Sequence, residues 1–135
     1  MKMEDSPLMI CRTEQNNDIV FVEFPDNSKV DLMSAQKIVA GRLDFTKHEK
    51  HYLIIDISNV RHVSTEAREF MQHADGGLQN ILAAAFIATN PVSSLIANIF
   101  IKTPKNFEAR FFANKEAAFE WIYTHRSNYH SIPNV

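Results

Sequence analysis

Between residues 56 and 65 the chain reads Asp56-Ile57-Ser58-Asn59-Val60-Arg61-His62-Val63-Ser64-Thr65, and Asp56, Ser58, His62 and Ser64 are the residue types of a hydrolytic triad. A serine nucleophile also needs a sharp elbow, usually built with glycines, and donors aimed at the oxyanion; neither is visible here. Polar side chains in a turn that leaves a strand more often hydrogen-bond the turn itself. The two hydroxyls suggest different chemistry. Phosphate on Ser64 or Thr65, at the start of a helix, would meet free backbone N–H groups and the positive end of the dipole, and Arg61 and Arg68 are close enough in sequence to pair with it. The plainer role for either hydroxyl is to cap that helix.

Other constellations are thinner. His48, Glu49 and His51 have spacing that could hold a metal, yet Lys47 and Lys50 would oppose a cation, and residues 47–51 read more simply as a solvated connector. With Gly41, Gly76 and Gly77 as its only glycines, the chain has no phosphate cradle of the dinucleotide or P-loop kind. Lys102, Lys105 and Arg110 could gather an anion around Pro104. Phe21, Phe70, Phe86, Phe100, Phe111 and Phe112 could line an apolar cavity, although aromatic residues at such spacing usually form core. No cofactor and no metal are expected.

These residues must be positioned by an alternation of strands and helices. Residues 8–13 and 18–24 read as an N-terminal hairpin with a polar turn at 14–17, the second strand carrying Ile19, Val20, Phe21, Val22 and Phe24. A helix over 31–47, capped by Asp31, follows from Leu32, Ala35, Val39 and Leu43. The continuous apolar run 52–57 predicts a strand buried on both faces. After a turn at 58–63, a helix over 64–74 places Ala67, Phe70, Met71 and Ala74 on one face and ends at Gly76-Gly77. A strand over 83–89 leads to Asn90 as cap and Pro91 at the first helical position. Val92, Leu95, Ile96, Ile99 and Phe100 then form the expected core stripe, with Ala97 and Ile101 on the far side, until Pro104 stops the helix. A strand over 109–113 precedes a last helix with Ala118, Trp121, Ile122 and His125 on one face, and the polar tail from Ser127 is expected to fray.

The order predicts an α/β fold: a mixed, largely parallel sheet with an N-terminal hairpin and helices packed on it, in one domain over 1–135 with its core at about 8–126. In such a sheet the turns leaving the carboxyl ends of parallel strands collect on one edge, where ligands and partners dock. That selects residues 56–65 and 90–94, and makes Asp56, Ser58, Arg61, Ser64, Thr65, Arg68, Asn90 and Ser93 the binding or phosphoacceptor candidates.

The 56–65 turn resembles the signature of STAS domains, the family of SpoIIAA-type anti-sigma-factor antagonists found in bacteria. In that family an Asp/Asn-Leu-Ser stretch ends the central strand and Asp-Ser-Ser-Gly opens the next helix. Asp56-Ile57-Ser58 corresponds to the first and Ser64-Thr65-Glu66-Ala67 to the second, so Thr65 falls where the family carries its phosphorylated serine. Ser64 replaces the aspartate and Ala67 the glycine. The segment from Pro91 to Phe100, with Pro104, also looks like an uncharacterised SpoIIAA-like branch. The resemblance implies a SpoIIAA-like fold and a noncatalytic module that binds a protein such as a kinase or an anti-sigma-type regulator.

Composition agrees with these classes. A net charge of −2, with cations spread among acids, leaves no basic field for a nucleic-acid backbone. Cys11 is the only cysteine, in an apolar stretch, which suits a reducing compartment. No apolar run approaches the roughly 18 residues of a membrane span and the N-terminus turns acidic, so the expected location is cytoplasmic. A homodimer is compatible with the apolar pair Ala97 and Ile101. The leading expectation is a protein-binding regulatory module, switched by phosphorylation at Thr65 or Ser64. The alternative is a small-molecule or lipid carrier of SEC14 type, whose fold the SpoIIAA-like fold resembles, and the third an unrecognised hydrolase built on Asp56, Ser58 and His62.

Overall fold

Strands that carry apolar residues on both parities need cover on both faces of their sheet, and that requirement organises this chain. The computed structural model describes residues 4–5, 10–14 and 18–131. The elements are β1 (Glu4–Asp5), β2 (Ile10–Glu14), β3 (Ile19–Glu23), β4 (Ser28–Val30), α1 (Leu32–Phe45), β5 (His51–Asp56), β6 (Val60–Val63), α2 (Thr65–Met71), β7 (Ile81–Ile87), α3 (Pro91–Lys102), β8 (Glu108–Phe112) and α4 (Lys115–Ser131). Six strands form one sheet in the order β1-β2-β3-β5-β7-β8. β1, β2 and β3 pair antiparallel, and β3, β5, β7 and β8 run parallel. The mixed, largely parallel sheet and the hairpin are as the sequence predicts; the hairpin's turn at 15–17 lies outside the described residues, as do residues 8–9 of its first strand.

The strand period divides the core. Ile19, Phe21, Tyr52, Ile54, Ala83, Ala85 and Ile87 meet Ala118 and Ile122 of α4 on one face. Val20, Val22, Leu53, Ile55, Ala84 and Ala88 meet Ala35 and Ile38 of α1, Ala67 of α2 and Ala97 of α3 on the other. Each fully buried large aliphatic side chain contributes about 1.5–3 kcal/mol, so these two layers carry the fold.

Several boundaries differ from the expectation for identifiable reasons. β4 and β6 form a separate two-stranded parallel sheet inside what reads as loop, because three- and four-residue strands have no periodicity to detect. In α1, Asp31 does cap, accepting from Ser34 N at 2.8 Å, but Ile38 and Arg42 are buried and Leu32 is exposed. α2 stops at Met71, three residues short of the expected end, with Gln72 as its C-cap. Gly76 and Gly77 act later: the chain folds back onto α2 so closely that a Cβ at either position would collide with the carbonyls of Phe70 or Met71. Of the tail expected to fray from Ser127, residues 127–131 instead continue α4, which Arg126 Nε ties to Asp18 Oδ2 at 2.8 Å, and residues 132–135 lie outside the described residues.

His51 is the clearest correction to the solvated connector. It opens β5, is 0% exposed, and lies beside Arg42, 3% exposed. A carbonyl only accepts, so the bond between His51 Nδ1 and Glu49 O, 2.8 Å, puts the ring proton on Nδ1 and leaves Nε2 to accept from Arg42 Nη1 at 3.4 Å. Arg42 Nη2 donates to Gly77 O at 3.1 Å, tying the segment after α2 to α1. Burial first, and the Arg42 charge as well, push the His51 pKa down to about 4. Below the unfolded value of 6.5 the unfolded chain takes up a proton that the folded chain refuses, so stability falls as pH drops from about 6.5 to 4, by up to about 3 kcal/mol. Urea unfolding across that range should show this loss, and His51→Gln should flatten the slope; an unchanged slope in the variant contradicts the assignment.

Candidate functional site

The residues that leave β5 bond first to themselves. Asp56 Oδ1 accepts from Ser58 N at 3.0 Å, a side-chain mimic of a turn, and Val60 N donates to Ile57 O at 3.0 Å. Ile57 N reaches Ile87 O of β7, and Asn59 Nδ2 donates to Phe24 O, both at 3.0 Å. The Ser58 carbonyl then takes two donors, Arg61 Nη1 and Asn90 Nδ2, each at 2.8 Å. β6 continues beside β4, Ser64 N donates to Val30 O at 2.9 Å, and the Ser64 hydroxyl caps α2 by accepting from Ala67 N at 3.1 Å. Thr65 follows with its side chain exposed.

Sequence candidates therefore separate. Asp56, Asn90 and Ser93 are engaged inside the fold: Asn90 Oδ1 accepts from Ser93 N at 2.9 Å while Ser93 Oγ accepts from Asn90 N at 3.2 Å, a reciprocal cap on α3. Ser64 is a cap. Thr65 is exposed at the start of α2, Arg61 and Arg68, near it in sequence, line one groove, and the Arg68 side chain has no polar partner among the described residues. The triad is not assembled: Ser58 Oγ is buried with no hydrogen-bond partner among the described residues, and Asp56 is turned to the Ser58 amide.

The remaining sequence candidates disperse. His51, between Glu49 O and Arg42, cannot serve as a metal ligand, and no cluster of three metal-binding side chains occurs among the described residues. Lys105 does not join Lys102 and Arg110; its Nζ donates to the Phe100, Ile101 and Thr103 carbonyls at 3.0, 2.8 and 2.7 Å, closing the end of α3. Desolvation there holds its pKa below the usual lysine value. Arg110 lies over the Trp121 ring. Of the six phenylalanines expected at a cavity, Phe86 and Phe100 line one, with Phe24 and Phe107; Phe70 packs against the layer under α1, α2 and α3, Phe21 and Phe112 belong to the α4 layer and Phe111 is exposed. That cavity measures about 70 Å³.

The expected face of α3 is rotated. Ser93 and Ala97 are its buried residues, whereas Val92, Leu95 and Ile99 are 42%, 68% and 37% exposed. Together with Arg61, His62 and Arg68 they line an open groove of about 220 Å³ beside the turn. The helical spacing predicts this stripe in the core. The signal against it was a helix apolar on nearly every side, which needs either complete burial or a second surface. No described helix is long and apolar enough to cross a membrane.

Residues 13–126 match a family described as a domain of unknown function, DUF7793. The chain belongs to the DUF7793 family. Nothing among curated proteins matches it. Among solved structures, this DUF7793 chain is similar to an uncharacterised DUF3478-family protein from Shewanella loihica PV-4 with a SpoIIAA-like fold. Identity is 15%, the match covers 84% of this chain and 90% of that one, and the TM-score is 0.58. The fold is thus SpoIIAA-like, as the resemblance in the 56–65 turn and the element order imply.

Asn90 holds both α3 and the Ser58 carbonyl, so Asn90→Ala removes a helix cap and a tie across the edge. A loss of about 2 kcal/mol is expected, read as a lower urea midpoint at unchanged m-value. Wild-type stability in this variant would mean that the Ser58 junction contributes nothing.

Proposed function

We propose that this DUF7793 domain is a noncatalytic, cytoplasmic protein-binding module that docks its partner through residues 56–65 and α2, with Thr65 as a phosphorylation switch. The observation that carries the proposal is an exposed Thr65 on a turn held from within by Asp56, Asn59, Arg61 and Asn90. An edge ordered before association loses little conformational entropy on binding. Thr65 falls where SpoIIAA-type proteins carry their phosphorylated serine, and it is the hydroxyl left over once Ser64 serves as cap. α2 has seven residues and a correspondingly weak dipole, so a phosphate on Thr65 would draw mainly on Arg68, three positions further along the same helix face. By the resemblance, the partner is a kinase or an anti-sigma-type regulator.

Size and geometry rank the other classes lower. A cavity of about 70 Å³ is far below the roughly 300–1,000 Å³ of pockets that enclose a drug-sized ligand, which disfavours a lipid carrier. Among the described residues Ser58 Oγ has no base in contact, which disfavours a hydrolase there.

The test is a pull-down from source-cell extract followed by calorimetric titration of the captured protein. Thr65→Glu should change its affinity by about tenfold or more, while Lys50→Glu, at the opposite end of β5, leaves it unchanged. Equal binding by Thr65→Glu and wild type would end the switch proposal, and failure to capture any stoichiometric protein under phosphorylating or nonphosphorylating conditions would end the docking proposal.

A further inference from the structure

The groove between α3 and the β6–α2 edge has walls of opposite character. One is a ridge on α3 in which Val92, Leu95 and Ile99 follow at spacings of three and four, so that they rise along one side of the helix. The other carries Arg61 and His62 from β6 and Arg68 from α2, and among the described residues no carboxylate lines the groove. Arg61 uses one guanidinium donor on Ser58 O and retains others. Neither wall is free to collapse onto the other. α3 is fixed at its start by the reciprocal Asn90–Ser93 cap and the tie to Ser58, and β6 by its pairing with β4.

An apolar ridge with one residue per turn is the surface that a second helix accepts, with anchors at i, i+3, i+4 and i+7. A flanking row of arginines selects carboxylates on that helix, both by pairing and by repelling a basic competitor. A volume of about 220 Å³ suits a few inserted side chains and is too small for a whole drug-sized ligand. A second copy meeting the groove through this same surface would bring arginines and no carboxylate.

Resting on the docking role proposed for this edge, we infer that the groove receives an acidic amphipathic helix from a partner protein. Its apolar edge packs on Val92, Leu95 and Ile99, and its Glu or Asp flank faces Arg61 and Arg68.

The experiment uses the full chain with three probes: a synthetic amphipathic peptide of about 15 residues with leucines at i, i+3, i+4 and i+7 and glutamates on one flank, the same peptide with lysines for glutamates, and vesicles of phosphatidylcholine with phosphatidylserine. Peptide affinity is read by fluorescence anisotropy and vesicle binding by co-sedimentation. The acidic peptide should bind, the lysine peptide at least about tenfold more weakly, and Leu95→Glu should weaken the acidic peptide by about tenfold or more. Arg68→Glu should reverse the peptide preference. Because Leu95 is so exposed, Leu95→Glu should fold, and Leu95→Ala gives the same direction without new charge; circular dichroism checks both. Equal binding of the two peptides, no binding of the acidic one, indifference to both Leu95 variants, or binding to vesicles in place of the peptide would each overturn the inference. A cellular partner lost with Thr65→Glu but retained with Leu95→Glu and Arg68→Glu would overturn the groove while leaving docking at the turn intact.

Discussion

Two donors converge on the carbonyl of Ser58, one from the arginine three residues ahead and one from the asparagine that begins α3. A parallel sheet sends every crossover out at the same edge, where backbone groups have lost their ladder partners and must find others. Here the exit of β5 and the exit of β7 solve that problem jointly. The Ser58 carbonyl is satisfied by the Asn90 side-chain amide while the Asn90 carbonyl oxygen on that same side chain caps α3. The orientation of α3 and the shape of the turn are therefore coupled, and the groove between them inherits its geometry from that coupling.

The rotation of α3 follows from closeness. Ser93 and Ala97 allow the helix to pack close against β8 and β6, with Ala97 in the same apolar layer as Ala84 and Ala88. Large residues at those helix positions would hold it off. With the small row inward, Ile96 and Phe100 close its flank, Phe100 stacking on Phe86 at 5.9 Å, and the remaining apolar ridge is left to solvent. A small cavity persists behind Phe100 because alanines on β7 and a short α2 do not fill the layer.

At the other end of the sheet, Arg42 and His51 are buried in contact without the histidine carrying charge. A neutral imidazole accepting from a guanidinium avoids the penalty of two buried cations, and the Gly77 carbonyl takes a further donor. The irregular segment between α2 and β7, which has few apolar residues of its own, is thus held by a charge-assisted bond in place of packing.

The parity of apolar residues in 52–57 already required a strand covered on both sides, and Asn90-Pro91 already required a helix start, because both follow from local stereochemistry. The 56–65 turn likewise carried its SpoIIAA-like character in residue types alone. Three features were decided by tertiary structure. β4 and β6 are too short to leave a pattern and exist because they pair between segments far apart in sequence, Ser28 with Val60 and Val30 with Val63. His51 reads as polar connector until β5 and Arg42 enclose it. α3 is apolar on so many sides that periodicity cannot choose its rotation. Close packing against β8 and β6 chose it, setting Ser93 and Ala97 inward and leaving Val92, Leu95 and Ile99 in the open.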